Sequence, residues 1–319
     1  MSWVVTGGAG YIGAHVVEAL IEAGHDVVVL DDLSTGRRDR VHPDARFVEG
    51  SVLDAKAVAD VLDGARGVVH VAAKKQVGES VAEPLLYFHE NVHGLTTLLD
   101  ACRNAKVESF LFSSSAAAYG MPDVELVTED SPTAPINPYG ESKLIGEWLI
   151  RDCQRAFGLR ATNLRYFNVA GAARAELGDP GCFNLIPLVL QAITTGQRPK
   201  VFGSDYPTPD GTCIRDYVHV ADLAVAHVKA VEALEGGAEG TTYNVGRGVG
   251  SSVLEVLEVV GEVTGLDASY DVVARRPGDP AKLVASADRI REELGVTCER
   301  TLREMVEGAW AAWSLRDPA

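Results

Sequence analysis

Basic residues are scarce in this chain: 29 Lys and Arg stand against 45 Asp and Glu, for a formal net charge of −16 over 319 residues. Such a surface repels phosphate backbones and anionic lipid, so neither nucleic acid nor membrane is an expected partner. An anionic ligand would need local positive groups in its pocket. Cysteine is sparse as well. Cys102, Cys153, Cys182, Cys213 and Cys298 are odd in number, scattered and never spaced as CxxC. That pattern supports neither a disulfide framework nor a metal site, and it suits reduced thiols in a cytoplasmic protein. No apolar run reaches the ~18 residues of a membrane span. The first residues already read as a strand, so no signal peptide is expected. Internal repeats and low-complexity tracts are missing. At 46% hydrophobic and 23% charged, the composition is that of an ordinary globular protein, large enough for one large or two medium domains.

What is present begins at the N-terminus. A short apolar run ending at Thr6 is followed at once by Gly7-Gly8-Ala9-Gly10-Tyr11-Ile12-Gly13, and then by an amphipathic stretch from Ala14 to Ile21. A second apolar run, Asp26 to Leu30, leads to Asp31 and Asp32. Glycines let a backbone approach a pyrophosphate, and the start of a helix stabilises its charge. An acid about twenty residues on can bind a ribose 2′-hydroxyl. The unit therefore predicts dinucleotide binding. The acid at the second strand end favours NAD over NADP, with Arg37 and Arg38 read as a solvated loop. Further strand candidates are Arg46 to Gly50, Gly67 to Val71, Ser109 to Ser113 and Leu159 to Tyr166, with helical patterns at Ala55 to Leu62 and Asn91 to Arg103. This alternation predicts an α/β fold with a doubly wound parallel sheet of Rossmann type, covered on both faces. Ligands bind such sheets beyond the strand C-termini, where Asp31, Asp32, Ala72, Ala73 and the Ser113–Ser115 run collect. From about Gly171 the pattern turns irregular. The division is thus an NAD-binding domain over 1–170 and a smaller, loop-rich substrate lobe over 171–319, some of whose segments return to the first domain. Ser252-Val253-Leu254-Glu255 has the form of a capping box and predicts a helix start.

Tyr139 and Lys143 follow a loop carrying Pro132, Pro135 and Pro138, at the start of a helix read over Tyr139 to Arg155. Residues four apart share a helix face. A phenol ordinarily ionises near pH ~10, and an ammonium beside it favours the phenolate, so the pair is expected to make a base that works near neutral pH.

Several motifs then occur in order: the glycine turn, Val77-Gly78-Glu79-Ser80, Asn91-Val92-His93-Gly94, Phe112-Ser113-Ser114-Ser115-Ala116, Asn137 to Lys143, Leu164 to Asn168, Ile214 to Val220, Tyr243 to Gly246 and Arg275 to Asp279. Together they resemble the extended short-chain dehydrogenase/reductase family, in its nucleotide-sugar branch, almost end to end. The resemblance implies NAD-dependent inversion of C4 of a UDP-hexose through a 4-keto intermediate. It implies a catalytic trio of Ser115, Tyr139 and Lys143. Cofactor contacts would come from Gly7, Gly10, Tyr11, Ile12, Gly13, Asp31, Asp32, Ser51, Val52, Ala72, Ala73, Lys75, Asn91 and Phe167 besides Tyr139 and Lys143. Asn168, Asn184, Arg215, Arg276 and Asp279 would hold the UDP-sugar with Ser115 and Tyr139, although an Arg215–Asp216 ion pair is a competing role. A homodimer is implied through the helices around Asn91 to Arg103 and Tyr139 to Arg155, using Leu95, Leu98, Leu99, Leu144, Trp148 and Leu149; ordinary core packing would use the same residues. Departures from the family pattern are Ser51, Glu90 and Ala117, and Leu283 stands where some members carry a Tyr thought to limit sugar size. Dehydration, which needs an acid pair, does not suit Ser115-Ala116-Ala117. A 4-epimerase of UDP-N-acetylglucosamine, UDP-glucuronate or UDP-xylose is the enzymatic alternative, and a non-catalytic NAD sensor the alternative of another class.

Overall fold

The computed structural model describes residues 1–276 and 278–316. In chain order it runs β1 (Trp3–Thr6), α1 (Tyr11–Glu22), β2 (Val27–Asp31), β3 (Arg46–Glu49), α2 (Ala55–Leu62), β4 (Gly67–His70), α3 (Val77–Ala82) and α4 (Pro84–Tyr87). A π-helical turn over Phe88–His93 leads into α5 (Gly94–Ala105), followed by β5 (Ser109–Ser115), α6 (Pro138–Phe157), β6 (Arg160–Tyr166), β7 (Asn168–Ala170), α7 (Leu185–Thr194) and β8 (Lys200–Phe202). Then come β9 (Ile214–His219), α8 (Val220–Glu235), β10 (Thr242–Val245), β11 (Gly250–Ser252), α9 (Val253–Thr264), β12 (Asp271–Val273), β13 (Lys282–Leu283), α10 (Asp288–Leu294) and α11 (Leu302–Trp313).

The main sheet is parallel throughout, in the order β10-β6-β5-β4-β1-β2-β3. A parallel strand buried on both faces is apolar at consecutive positions rather than alternate ones. Val4, Val5, Val28, Val29, Val68 and Val69 meet that requirement, each 5% exposed or less. Odd and even positions feed two cores. Trp3, Val5, Val29 and Val69 pack under α1 and α8, whereas Val4, Val28 and Val68 pack under α2, α5 and α6. The last strand of this sheet, β10, comes from beyond residue 171, so the second half of the chain returns to the first. Part of the reason is hydrophobic: α8, in the second half, buries Leu223, Ala226, Ala230 and Val231 against the same core.

The smaller lobe has its own core, where Ile186, Leu190, Tyr217, Val256, Val260, Met305 and Val306 join α7, α9 and α11. Its β7, β9, β11 and β13 form a mixed sheet. Ser252 caps α9 in a complete capping box with Glu255, satisfying two otherwise orphaned helix donors. The residues named for a dimer contact are mostly spent on the interior: Leu95, Leu98, Leu99 and Leu144 are buried, Leu149 packs on the core, and Trp148 is exposed. Among the described residues no helix is long and apolar enough to cross a membrane, and none of the His, Cys, Asp and Glu side chains cluster as a metal site.

Candidate active site

The glycine turn is set by contacts that no side chain could share. A Cβ on Gly13 would stand 2.0 Å from the Gly7 carbonyl oxygen, and one on Gly7, whose φ is +73°, would meet the Ala72 amide at 2.7 Å. The first turn of α1 therefore lies directly on the loop between β1 and the end of β4. Gly10 starts α1 with no side-chain cap, and no acid stands in its first turn. The positive end of the helix is left for an anion. Asp31 ties this turn to β2, its carboxylate accepting from Ala9 N and Leu33 N at 2.9 Å each. Burial pushes the carboxyl up while those two amides pull it back. A carboxylate has about four lone-pair sites, so the residue retains acceptors for a diol. Asp32 is exposed and accepts from Ser34 N. Thr6 and His70 bond beneath the turn at 2.7 Å. These features fit a dinucleotide: close backbone, open amides at a helix start and an oriented acid at the neighbouring strand end.

The other half of the site lies where β5 meets α6. Asn137 caps α6 by accepting from Gly140 N at 2.9 Å, and Pro138 supplies its first residue. A Cβ on Gly140 would come 2.6 Å from Ala117 O. That glycine lets the start of α6 reach the turn after Ser115 and brings the Tyr139 phenol against the Ser115 hydroxyl. Ser115 also accepts from Ala117 N at 3.1 Å. Lys143 is buried, with its Nζ donating to Ser113 O at 2.9 Å and lying 5.9 Å from the Tyr139 ring centroid.

The electrostatics correct one expectation. Burial pushes Tyr139 above its ordinary value, with only the Ser115 hydroxyl pulling it down. Lys143 is itself driven from 10.5 to about 7 by burial. Among the described residues no carboxylate pairs with it. Loss of hydration outweighs mutual support, Lys143 being buried and Tyr139 half-buried. A pH dependence follows. Above about pH 7 the unfolded chain holds a proton on this amine that the folded protein has released, so stability rises from about pH 7 toward the ordinary lysine value of 10.5. Lys143→Met will flatten that rise, read as urea midpoints of cofactor-stripped protein. A slope unchanged by the substitution would assign it elsewhere.

The remaining expected cofactor residues are placed variously. Ser51 and Val52 form the turn after β3, where Ser51 Oγ accepts from Leu53 N at 3.2 Å and Val52 is buried. Ala72 N donates to Thr6 O beside Gly7, while Ala73 and Lys75 are exposed. Phe167 is buried beside Ala116 and Tyr119. Asn91 is committed to the protein. In the π-turn its amide bonds Lys74 N and O, and its Nδ2 donates to Ser142 Oγ at 3.0 Å. Ser142 in turn donates to Tyr139 O. Asn91 thus steadies the loop after β4 against α6. Tyr11 turns its hydroxyl to Gly171 O at 2.6 Å, joining the glycine turn to the second lobe.

Asn168 and Asn184 line one cavity with Tyr11, Asp179, Tyr217 and Trp313. Ser115, Tyr139, Lys143, Arg215 and Arg276 lie outside that lining. Asn184 Nδ2 donates to Asp179. Arg215, on β9, donates to Pro280 O at 2.7 Å and approaches Asp279 at 3.4 Å. Asp216 is not its partner, being buried and accepting three backbone amides instead. Arg276 lies 3.7 Å over the Phe202 ring. Leu283 pairs with Arg215 across the sheet and packs against the cluster of Ala116, Tyr119, Val127, Phe167 and Ala285. The sequence reading overlooked Glu147 and Arg165, whose buried ion pair lies one turn beyond Lys143. The four-residue spacing Tyr139, Lys143, Glu147 was the available signal.

Residues 3–246 match the model of the NAD dependent epimerase/dehydratase family. The UDP-glucose 4-epimerase of Corynebacterium glutamicum is 51% identical over 318 residues, spanning 98% of this chain and 95% of that one. The crystal structure of UDP-glucose 4-epimerase from Brucella ovis in complex with NAD superposes with a TM-score of 0.94 at 41% identity, over 98% of each chain. That of UDP-glucose-4-epimerase from Stenotrophomonas maltophila, with bound NAD and formylated UDP-arabinopyranose, gives 0.95 at 38% identity over 98% of each. With its glycine turn, its Ser115–Tyr139–Lys143 grouping and this agreement over nearly its full length, the chain belongs to the NAD dependent epimerase/dehydratase family.

Proposed function

We propose that this protein inverts C4 of a UDP-hexose, interconverting UDP-glucose and UDP-galactose with NAD. The observation that carries the reading is the meeting of Ser115 and Tyr139 with a buried, carboxylate-free Lys143, opposite a glycine turn with an uncapped helix start. Gly7, Gly10, Tyr11, Ile12 and Gly13 hold the dinucleotide pyrophosphate, Asp31 and Asp32 take a ribose, and Lys143 donates to the other ribose. When bound, NAD⁺ takes the C4 hydride and returns it to the opposite face of the sugar. Tyr139 accepts the O4 proton and gives it back. The Ser115 hydroxyl bonds O4 and so favours the charge that develops there. Lys143 offers an amine donor already anchored by one hydrogen on Ser113 O. Arg215 and Arg276 suit the diphosphate, because a planar guanidinium pairs with two phosphate oxygens. Asn168, Asn184 and Asp279 complete the nucleotide-sugar contacts. The short helical turn after Ser115, Ala116–Tyr119, contains no acid, which favours epimerisation over elimination of water. The setting is cytoplasmic, in keeping with scattered free thiols, and the protein acts as a homodimer with the exposed Trp148 at the contact.

The test is NMR of UDP-galactose incubated with purified protein and no added NAD. Growth of UDP-glucose signals supports both the reaction and a retained cofactor; none appearing over many equivalents of enzyme would refute the reading. A second arm uses UDP-N-acetylglucosamine. Leu283 leaves room for the N-acetyl group where a Tyr would not, so this sugar should turn over within about tenfold of UDP-glucose. No turnover of it would remove the role given to Leu283.

A further inference from the structure

Behind Ser115 and Tyr139 lies a buried ionic clamp that the chemistry above does not use. Helix α6 carries Tyr139, Lys143 and Glu147 at four-residue intervals, hence on one face. The Glu147 carboxylate accepts from Arg165 Nε at 2.8 Å and from its second terminal nitrogen at 2.5 Å, a two-pronged pair between α6 and β6. It also accepts from the Ser114 hydroxyl. Ser114 directly precedes Ser115 and faces the other side of β5. Ser114, Glu147 and Arg165 are each 6% exposed or less. The Arg165 guanidinium lies 4.7 Å over the Tyr119 ring, and Tyr119 donates to Asn244 at 2.7 Å. One carboxylate therefore touches the end of β5, the reacting face of α6 and the neighbouring strand.

Such a pair is poor evidence for stability alone, because apolar side chains of similar volume often hold a core as well or better. What they do not supply is direction. Two guanidinium bonds fix the carboxylate plane, and the third bond fixes the depth of Ser114 against it.

We propose that Glu147, held by Arg165, is a positioning residue that sets through Ser114 the depth at which β5 presents Ser115 to the Tyr139 face of α6. This rests on the function proposed above. Proton transfer from O4 requires Ser115 and Tyr139 to meet the same oxygen, and small displacements there cost rate rather than binding.

Two variants test it. Ser114→Ala leaves the ion pair and removes its bond to the strand. A double variant, Glu147→Met with Arg165→Met, replaces the pair by apolar volume. Ser114→Ala should lower kcat about tenfold with KM unchanged, and it should move the acid limb of the kcat–pH profile upward, since a displaced Ser115 no longer favours the ionised phenol. The double variant, if folded, should lose at least as much kcat while its melting temperature stays near the wild-type value. Wild-type kcat in Ser114→Ala, or a kcat loss with an unmoved pH profile, would overturn the assignment whether or not the double variant folds. A wild-type protein that does not epimerise would overturn the proposed function and this inference with it. Wild-type turnover with a silent Ser114→Ala would overturn only the inference.

Discussion

Replacing Tyr139 by Phe will leave a folded protein that keeps its cofactor and turns over a UDP-hexose about a thousandfold more slowly. The change removes one oxygen. The ring stays packed, Lys143 keeps its bond to Ser113 O, and the Gly140 approach to Ala117 is untouched. Binding should therefore survive. What disappears is a phenol placed against Ser115 that can take and return a proton. Burial pushes that phenol up, while Ser115 opposes the shift. The protein's own fields therefore do not favour the ionised phenol. The loss in Tyr139→Phe should hence be seen at every pH, not as a displaced profile. Turnover by NMR and cofactor content by absorbance check it. A kcat within about threefold of wild type would refute Tyr139 as the base, since general acid–base catalysis contributes at least about a hundredfold.

Replacing Asp216 by Ala should cost about 4 kcal/mol of stability, on the basis that each buried donor left unpaired costs about 1–3 kcal/mol. Asp216 is fully buried on β9, and its two oxygens accept from Arg247 N at 2.8 Å, Gly248 N at 3.0 Å and Ala285 N at 3.2 Å. It joins β9 to the loop after β10 and to the segment after β13. Asn is only a partial remedy, because one carboxylate oxygen becomes an NH2 that faces a donor. Urea denaturation reads the effect as a lower midpoint. Since Arg215 and Leu283 flank this knot, KM should also rise in the variant that remains folded. A midpoint shift worth less than about 1 kcal/mol would show that water or a backbone shift satisfies the three amides.

Much of the first half was legible in the chain. The order of glycine turn, helix, strand and acid is local, and its elements fall within a few residues of their expected bounds; Ala55–Leu62 falls on them. The same locality brought out Tyr139 and Lys143, because four-residue spacing on a helix is a property of the helix alone. Other features depend on which side of a helix meets the sheet. Leu95, Leu98, Leu99 and Leu144 read equally well as interface or core, and only packing assigns them to the interior. Asn91 read as a ligand contact, yet in the π-turn its amide binds the protein. Arg215 and Asp216 are adjacent, but neighbours on a strand point to opposite faces, so one turns toward Asp279 and the other into the core.

The sequence by itself determined the strand–turn–helix unit, the parallel sheet, the preference for a dinucleotide and the Tyr–Lys face, all of which rest on spacing within one or two elements. Only the tertiary structure decided how the site is held. The return of β10, the Tyr11 bond to Gly171, the Glu147–Arg165–Ser114 clamp and the burial that drives Tyr139 up and Lys143 down join residues far apart in the chain. Hydration is lost through the whole surrounding fold, and for that reason the charge state of the pair could not be read from the two residues alone.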